Sequence, residues 1–163
     1  AATFGGSGYD IACARHNTPI LFRRNEYTPF VSEIHFYPNF TNHLFFVYLN
    51  QKKNSRDAIA AYRNLNFDKT DLVSKIDAIT NKIINCNDLN KFAALLTKHE
   101  ATISETLKIP TVKETLFSDY SGSIKSLGAW GGDFVLVTGT ASEMTYFKNK
   151  GYSTILPYKE MIL

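Results

Sequence analysis

Two stretches of this 163-residue chain bring together residue types that do chemistry. The first is Gly5-Gly6-Ser7-Gly8-Tyr9-Asp10-Ile11-Ala12-Cys13-Ala14. Its glycines can take a positive φ or approach a ligand closely. The apolar Ile11, Ala12 and Ala14 behind them read as the first turns of a helix from Tyr9 to Ala14. Asp10 then lies at a helix N-terminus, where the dipole and free backbone N–H groups stabilise a carboxylate. Two roles fit it: a helix cap, or an ionised proton acceptor and charge organiser in a polar site. The second stretch is Lys125-Ser126-Leu127-Gly128-Ala129-Trp130-Gly131-Gly132-Asp133. Between two expected strands it reads as a hairpin turn, because glycine supplies the dihedrals a hairpin needs. Three glycines in six residues exceed that need, and backbone free of side chains lets N–H groups reach a phosphate or another anion. Both readings fit the residues.

Other chemistries find less support. His16, His35, His43 and His99 show no ligand spacing such as H-E-x-x-H, so no metal site is expected. No G-x-S-x-G string marks a nucleophile elbow. Cys13, one turn past Asp10, reads as a small buried hydrophobe. Cys13 and Cys86 have no framework spacing, which points to a reducing, cytoplasmic setting. Asn39-Phe40-Thr41 matches a glycosylation sequon by chance, since no signal-peptide pattern accompanies it. No apolar run approaches the ~20 residues of a membrane span, and no membrane partner is expected. A net charge of +3 is too weak to argue for nucleic acid. The aromatics of the strand near Lys52 and Lys53 are consecutive, whereas an RNA-binding sheet alternates them, so no nucleic-acid partner is expected either.

The elements that must position the two stretches follow from periodicity. Pro19–Arg24 and Val31–Tyr37 read as strands, with Asn17-Thr18-Pro19 a turn between helix and strand. The run Leu44–Leu49 is uninterrupted and apolar, as in a central strand covered on both faces. Helices are expected over Ser55–Leu65 with Ser55 as N-cap, over Thr70–Asn85 and over Asp88–Lys108. Pro110 ends the last of these, and a further helix runs over Val112–Tyr120 from Thr111. Ser123–Leu127 and Phe134–Thr138 are strands flanking the second glycine stretch. Ser142–Lys150 is a helix stopped by Gly151, and Tyr152–Tyr158 is a last strand. Strands, helices, a strand–turn–strand and a further helix and strand make an α+β fold, an antiparallel sheet with helices on one face. At 44% hydrophobic and 20% charged residues, the chain reads as one globular domain.

Taken together, the two stretches resemble motifs of the GHMP small-molecule kinases. Gly-Ser-Gly-Tyr-Asp-Ile-Ala at 6–12 and Lys-x-x-Gly-Ala-x-Gly-Gly-Asp at 125–133 carry the resemblance. It is nearest to the mevalonate and phosphomevalonate kinase branch and to a bacterial group named for its Gly-Tyr-Asp-Ile-Ala string. The resemblance implies a ferredoxin-like sheet, the C-terminal domain of such kinases, over residues 1–163. Residues 1–16 would form the active-site motif and helix, and 19–163 the α+β domain. It implies transfer of the γ-phosphoryl of ATP, with Mg²⁺, to mevalonate, phosphomevalonate or a similar small metabolite. Asp10 matches the catalytic aspartate. Gly6, Ser7, Gly8, Gly128, Ala129, Gly131 and Gly132 match the substrate- and phosphate-binding glycine motifs, and Lys125 leads into the second. Trp130 stands where the family usually has glycine, and Leu127 where it usually has a small hydroxyl residue. The family's main phosphate-binding loop has no counterpart here, so the chain is expected to be a fragment. It would be inactive without the N-terminal part of the same protein and able to self-associate. The competing reading is a non-catalytic ferredoxin-like module that binds a metabolite or a protein.

Overall fold

The computed structural model describes residues 7–25, 28–51, 62–128, 130 and 132–162. They form two compact units that divide at Tyr37 and Pro38.

The first unit contains helix α1 (Tyr9–Cys13) and a hairpin of β1 (Ile20–Arg23) and β2 (Phe30–Glu33). The strands are antiparallel, with Ile20 opposite Glu33 and Arg23 opposite Phe30. The Ile34 N–H extends the pairing by one bond to the Pro19 carbonyl (2.9 Å). The strand expected to reach Tyr37 stops at Glu33 because β1 offers only four residues to pair with. Tyr9 of α1 sets its ring edge-on to Phe22 of β1 at 5.8 Å. His16 Nδ1 meets Glu33 Oε1 at 2.8 Å, tying the segment after α1 to β2. That contact holds the Glu33 carboxyl below its usual range.

The second unit is a four-stranded antiparallel sheet. Its elements are β3 (Leu44–Tyr48), α2 (Lys69–Ile83), α3 (Leu89–Leu107), α4 (Val112–Leu116), β4 (Ile124–Ser126), β5 (Phe134–Thr138), α5 (Thr145–Asn149), β6 (Ile155–Pro157) and α6 (Tyr158–Met161). Across the sheet the order is β4-β5-β3-β6. Counting strands within this unit, that is 2-3-1-4, the split βαβ arrangement of a ferredoxin-like fold. The fold class is therefore the α+β, ferredoxin-like one expected from the sequence.

Alternation sorts the strand residues. Phe45, Val47, Ile124, Val135 and Val137 face a core completed by Val112, Phe117, Tyr120, Met144 and Phe147 from the helical side. The opposite face of β3 is also covered. Leu44 and Phe46 are buried there, and Tyr158 of the short α6 stacks on Phe46 at 6.1 Å. This is why β3 reads as an unbroken apolar run.

The helices begin where capping chemistry allows. Asp68 accepts from the Thr70 and Asp71 N–H groups, and Asp88 from the Lys91 N–H. Thr111 and Glu114 close a reciprocal capping box on α4. Helix α4 ends at Leu116, short of the expected Tyr120, where the chain turns to bury Phe117 and Tyr120 in the core. Tyr120 donates its hydroxyl to the Thr138 carbonyl (2.8 Å) across Gly122. A side chain at Gly122 would collide with that carbonyl and stand 2.7 Å from the Tyr120 ring. The last strand is shorter than expected, three residues, and passes at Pro157 into α6. The helix expected over 55–65 lies outside the described residues except for its end, where 62–64 are helical.

Candidate active site

Each glycine stretch is placed within its own unit. In the first, Gly8 takes φ 80°, a left-handed conformation, and forms the N-cap of α1. Ser7 Oγ accepts the Tyr9 N–H at 3.2 Å, so the serine satisfies one of the helix's free donors. Asp10 follows in the first turn and makes no capping bond. Its side chain is exposed and has no hydrogen bond or ion pair to another described residue. Of the two roles open to Asp10, the local geometry thus leaves the cap to Gly8 and Ser7. A carboxylate in this position sits in the favourable field of the helix N-terminus and keeps its lone pairs available. Nearby, the Tyr9 phenol is pushed up to about 12, chiefly by its hydrogen bond to Cys13. It stays protonated at neutral pH.

In the second unit the glycine stretch is the turn between β4 and β5. The Leu127 N–H donates to the Phe134 carbonyl (3.1 Å), closing the hairpin beyond its last ladder pair. Gly128 has φ 65°, and Trp130 and Asp133 have φ 47° and 50°. The last two are L-residues in the left-handed region, a strain held only where the surroundings impose it. The Trp130 N–H closes a bond to the Gly128 carbonyl (3.0 Å). Asp133 is pinned through its backbone, its carbonyl accepting from the Leu49 N–H (2.7 Å) and its N–H donating to the Gln51 carbonyl (3.0 Å). Gly132 is buried. The Trp130 ring lies 5.9 Å from that of Tyr62 and lines a small pocket with Glu100 and Ser126. Glycine would relieve the dihedral strain at position 130, but it would remove that aromatic wall. Gly6, Ala129 and Gly131 lie outside the described residues.

A buried carboxylate organises the base of this turn. Glu100 of α3 is 7% exposed. Its Oε1 lies 3.1 Å from Lys125 Nζ, and its Oε2 accepts the Ser126 hydroxyl at 2.7 Å. Lys125 Nζ also donates to the Ser126 carbonyl (2.8 Å). The lysine leading into the glycine turn is therefore committed to Glu100. Sequence reading misses Glu100, although a signal is there. It falls four residues after Leu96 on the stripe Phe92, Leu96, Leu107, a charged residue where the helix period calls for an apolar one.

His99 adjoins this cluster. Its imidazole is pushed down to about 4, first by burial and then by the Lys125 charge. Folding therefore requires the neutral ring. The unfolded chain binds more protons than the native one between the ordinary value of 6.5 and about 4. Stability is full above the upper value and falls as pH drops through this window. Urea unfolding should show a loss on the order of 2 kcal/mol between pH 7 and pH 5. His99→Phe should flatten that part of the profile, and an unchanged slope in the variant would assign the loss to other groups.

No family model and no curated protein sequence matches the chain. Solved structures do. L. major mevalonate kinase in complex with R-mevalonate is similar with a TM-score of 0.69 at 14% identity, over 92% of this chain and 51% of that one. The Lin0012 protein of Listeria innocua is similar with a TM-score of 0.62 at 11% identity, over 79% of this chain and 41% of that one. The chain spans about half the length of the mevalonate kinase it matches. Its fold is α+β and GHMP-kinase-like.

Proposed function

We propose that this chain is the C-terminal part of an ATP-dependent small-molecule kinase of the GHMP type, acting on mevalonate, phosphomevalonate or a similar metabolite. The observation that carries the reading is the Asp10 carboxylate: exposed, in the first turn of α1, and not spent on capping. The order of the two glycine motifs and the fold likeness over 92% of the chain support it.

In this reading the acceptor oxygen, a hydroxyl of mevalonate or a phosphate oxygen of phosphomevalonate, attacks the γ-phosphorus of ATP as Asp10 orients it and takes up a proton where a hydroxyl gives one up. The bond from the γ-phosphorus to the bridging oxygen breaks, and ADP leaves. Such transfer asks the protein for positioning and charge neutralisation more than for covalent work. Ser7 and Gly8, with Gly6, would shape the wall beside Asp10. By the resemblance, Gly128, Ala129, Gly131 and Gly132 would belong to the substrate- or phosphate-binding motif. Among the described residues no three potential metal ligands gather. Mg²⁺ would enter as the companion of the nucleotide.

The remaining partner is the N-terminal part of the same protein. Exposed Tyr9, Phe30 and Tyr37 support self-association of the isolated chain. The two free cysteines support a cytoplasmic setting. No helix of the described residues is long and apolar enough to cross a membrane.

The test is an ADP-release screen of the gene's full product against mevalonate, phosphomevalonate and common sugars. Turnover with one of them names the substrate. No turnover with any of them leaves the non-catalytic binding module as the reading.

A further inference from the structure

A groove lies where the end of α2 meets the start of α3, and the kinase reading makes no use of it. Lys82 in the last turn of α2 forms one wall, and Lys91 and Lys98 of α3 the other. All three are exposed, and none has an ion pair or hydrogen bond from its ammonium to a described residue. Lys75, Lys125 and Lys150, by contrast, are paired with carboxylates. The one acid in the lining, Asp88, spends its Oδ1 on the Lys91 N–H at 2.8 Å.

The connection between the helices is held in place. The Cys86 N–H donates to the Ile83 carbonyl, the Cys86 thiol to the Asp88 carbonyl, and Asn87 Oδ1 accepts the Asn39 N–H at 2.9 Å. The groove therefore keeps its shape without a ligand. Along α3 the lining residues Lys91, Ala94, Leu95 and Lys98 recur every three or four positions, one stripe with apolar residues between two charges. Seven residues of helix separate its lysines by about 10 Å, too far for a single phosphate to bridge.

From this charge and spacing we infer that the groove docks an acidic segment of another protein, with carboxylates on either side of an apolar side chain. The carboxylates would meet the three lysines, and the apolar side chain would cover Ala94 and Leu95. Charges at this exposure act mainly on partner choice and association rate.

The test is fluorescence anisotropy of the full chain with a labelled peptide of repeating Glu-Leu-Glu. Binding should weaken steeply as salt is raised. Reversing all three lysines (Lys82→Glu, Lys91→Glu, Lys98→Glu) should weaken it about tenfold or more. Ala94→Glu, at an exposed position that folding tolerates, should weaken it as well. Lys148→Glu on α5, away from the groove, should leave it unchanged. Absence of binding, or equal affinity for the triple variant, overturns the inference. So does displacement by inorganic phosphate where chloride at matched ionic strength fails, which would make the groove a phosphate site.

Discussion

Glu100→Ala is expected to lower the stability of the chain by about 3 kcal/mol, the largest effect of any single truncation at the glycine turn. The reason lies in what the carboxylate leaves behind. Lys125 and Glu100 side chains are only 18% and 9% exposed, so removing one charge strands the other in a poorly solvated place. The buried Ser126 hydroxyl loses its acceptor at the same time, and a buried unsatisfied polar group carries its own penalty. For a chain of this size that corresponds to a fall in melting temperature of roughly 6–12 °C, readable by calorimetry. Glu100→Gln keeps a partner for Ser126 and should lose less. Glu100→Leu combined with Lys125→Met should recover most of the loss, because removing a buried pair is milder than breaking it. A loss under about 1 kcal/mol for Glu100→Ala would mean that the pair behaves as an ordinary surface contact.

The second large effect is on chemistry. On the proposed kinase function, Asp10→Asn in the gene's full product should reduce kcat by about 10²–10⁴-fold, the usual contribution of a positioned proton acceptor. Melting temperature should change by only a few degrees, since the Asp10 carboxylate makes no capping bond and no hydrogen bond or ion pair to a described residue. Asparagine is nearly the same size, so KM for both substrates should change little. That split separates a catalytic role from a structural one. Unchanged kcat in this variant would demote Asp10 to an ordinary first-turn acid. A parallel loss of stability would instead show that the carboxylate supports α1.

Much of this architecture is legible in the order and spacing of the residues. The run Leu44–Leu49 announces a central strand because both faces of β3 are in fact covered, by the core on one side and by Tyr158 on the other. The stripes through Leu72 and Ile79, and through Phe92 and Leu96, place α2 and α3 to within two residues. The alternation over Phe134–Thr138 marks β5 residue for residue.

What escapes a reading of the chain does so for particular reasons. An apolar or alternating pattern cannot report where a partner strand ends, so β2 reads longer than it is. Phe117 and Tyr120 look helical by spacing, yet they are buried from a turn after α4. Helix α6 has a single turn and starts just after Pro157, within what reads as a strand. Glu100 interrupts the apolar stripe of its helix, but that signal does not name its partners, Lys125 and Ser126, which lie 25 and 26 positions away. Only the ferredoxin-like topology brings α3 beside β4. Spacing leaves Asp10 between cap and acceptor, and the observed N-cap at Gly8 takes away the capping role alone.

The measurement that bears most directly on the kinase reading is ³¹P NMR of the gene's full product with Mg²⁺–ATP and mevalonate or phosphomevalonate. The γ-phosphate resonance should disappear, matched by ADP and by a new acceptor phosphate in equal amount. Inorganic phosphate alone, or ATP left intact with every acceptor tried, would contradict the kinase assignment.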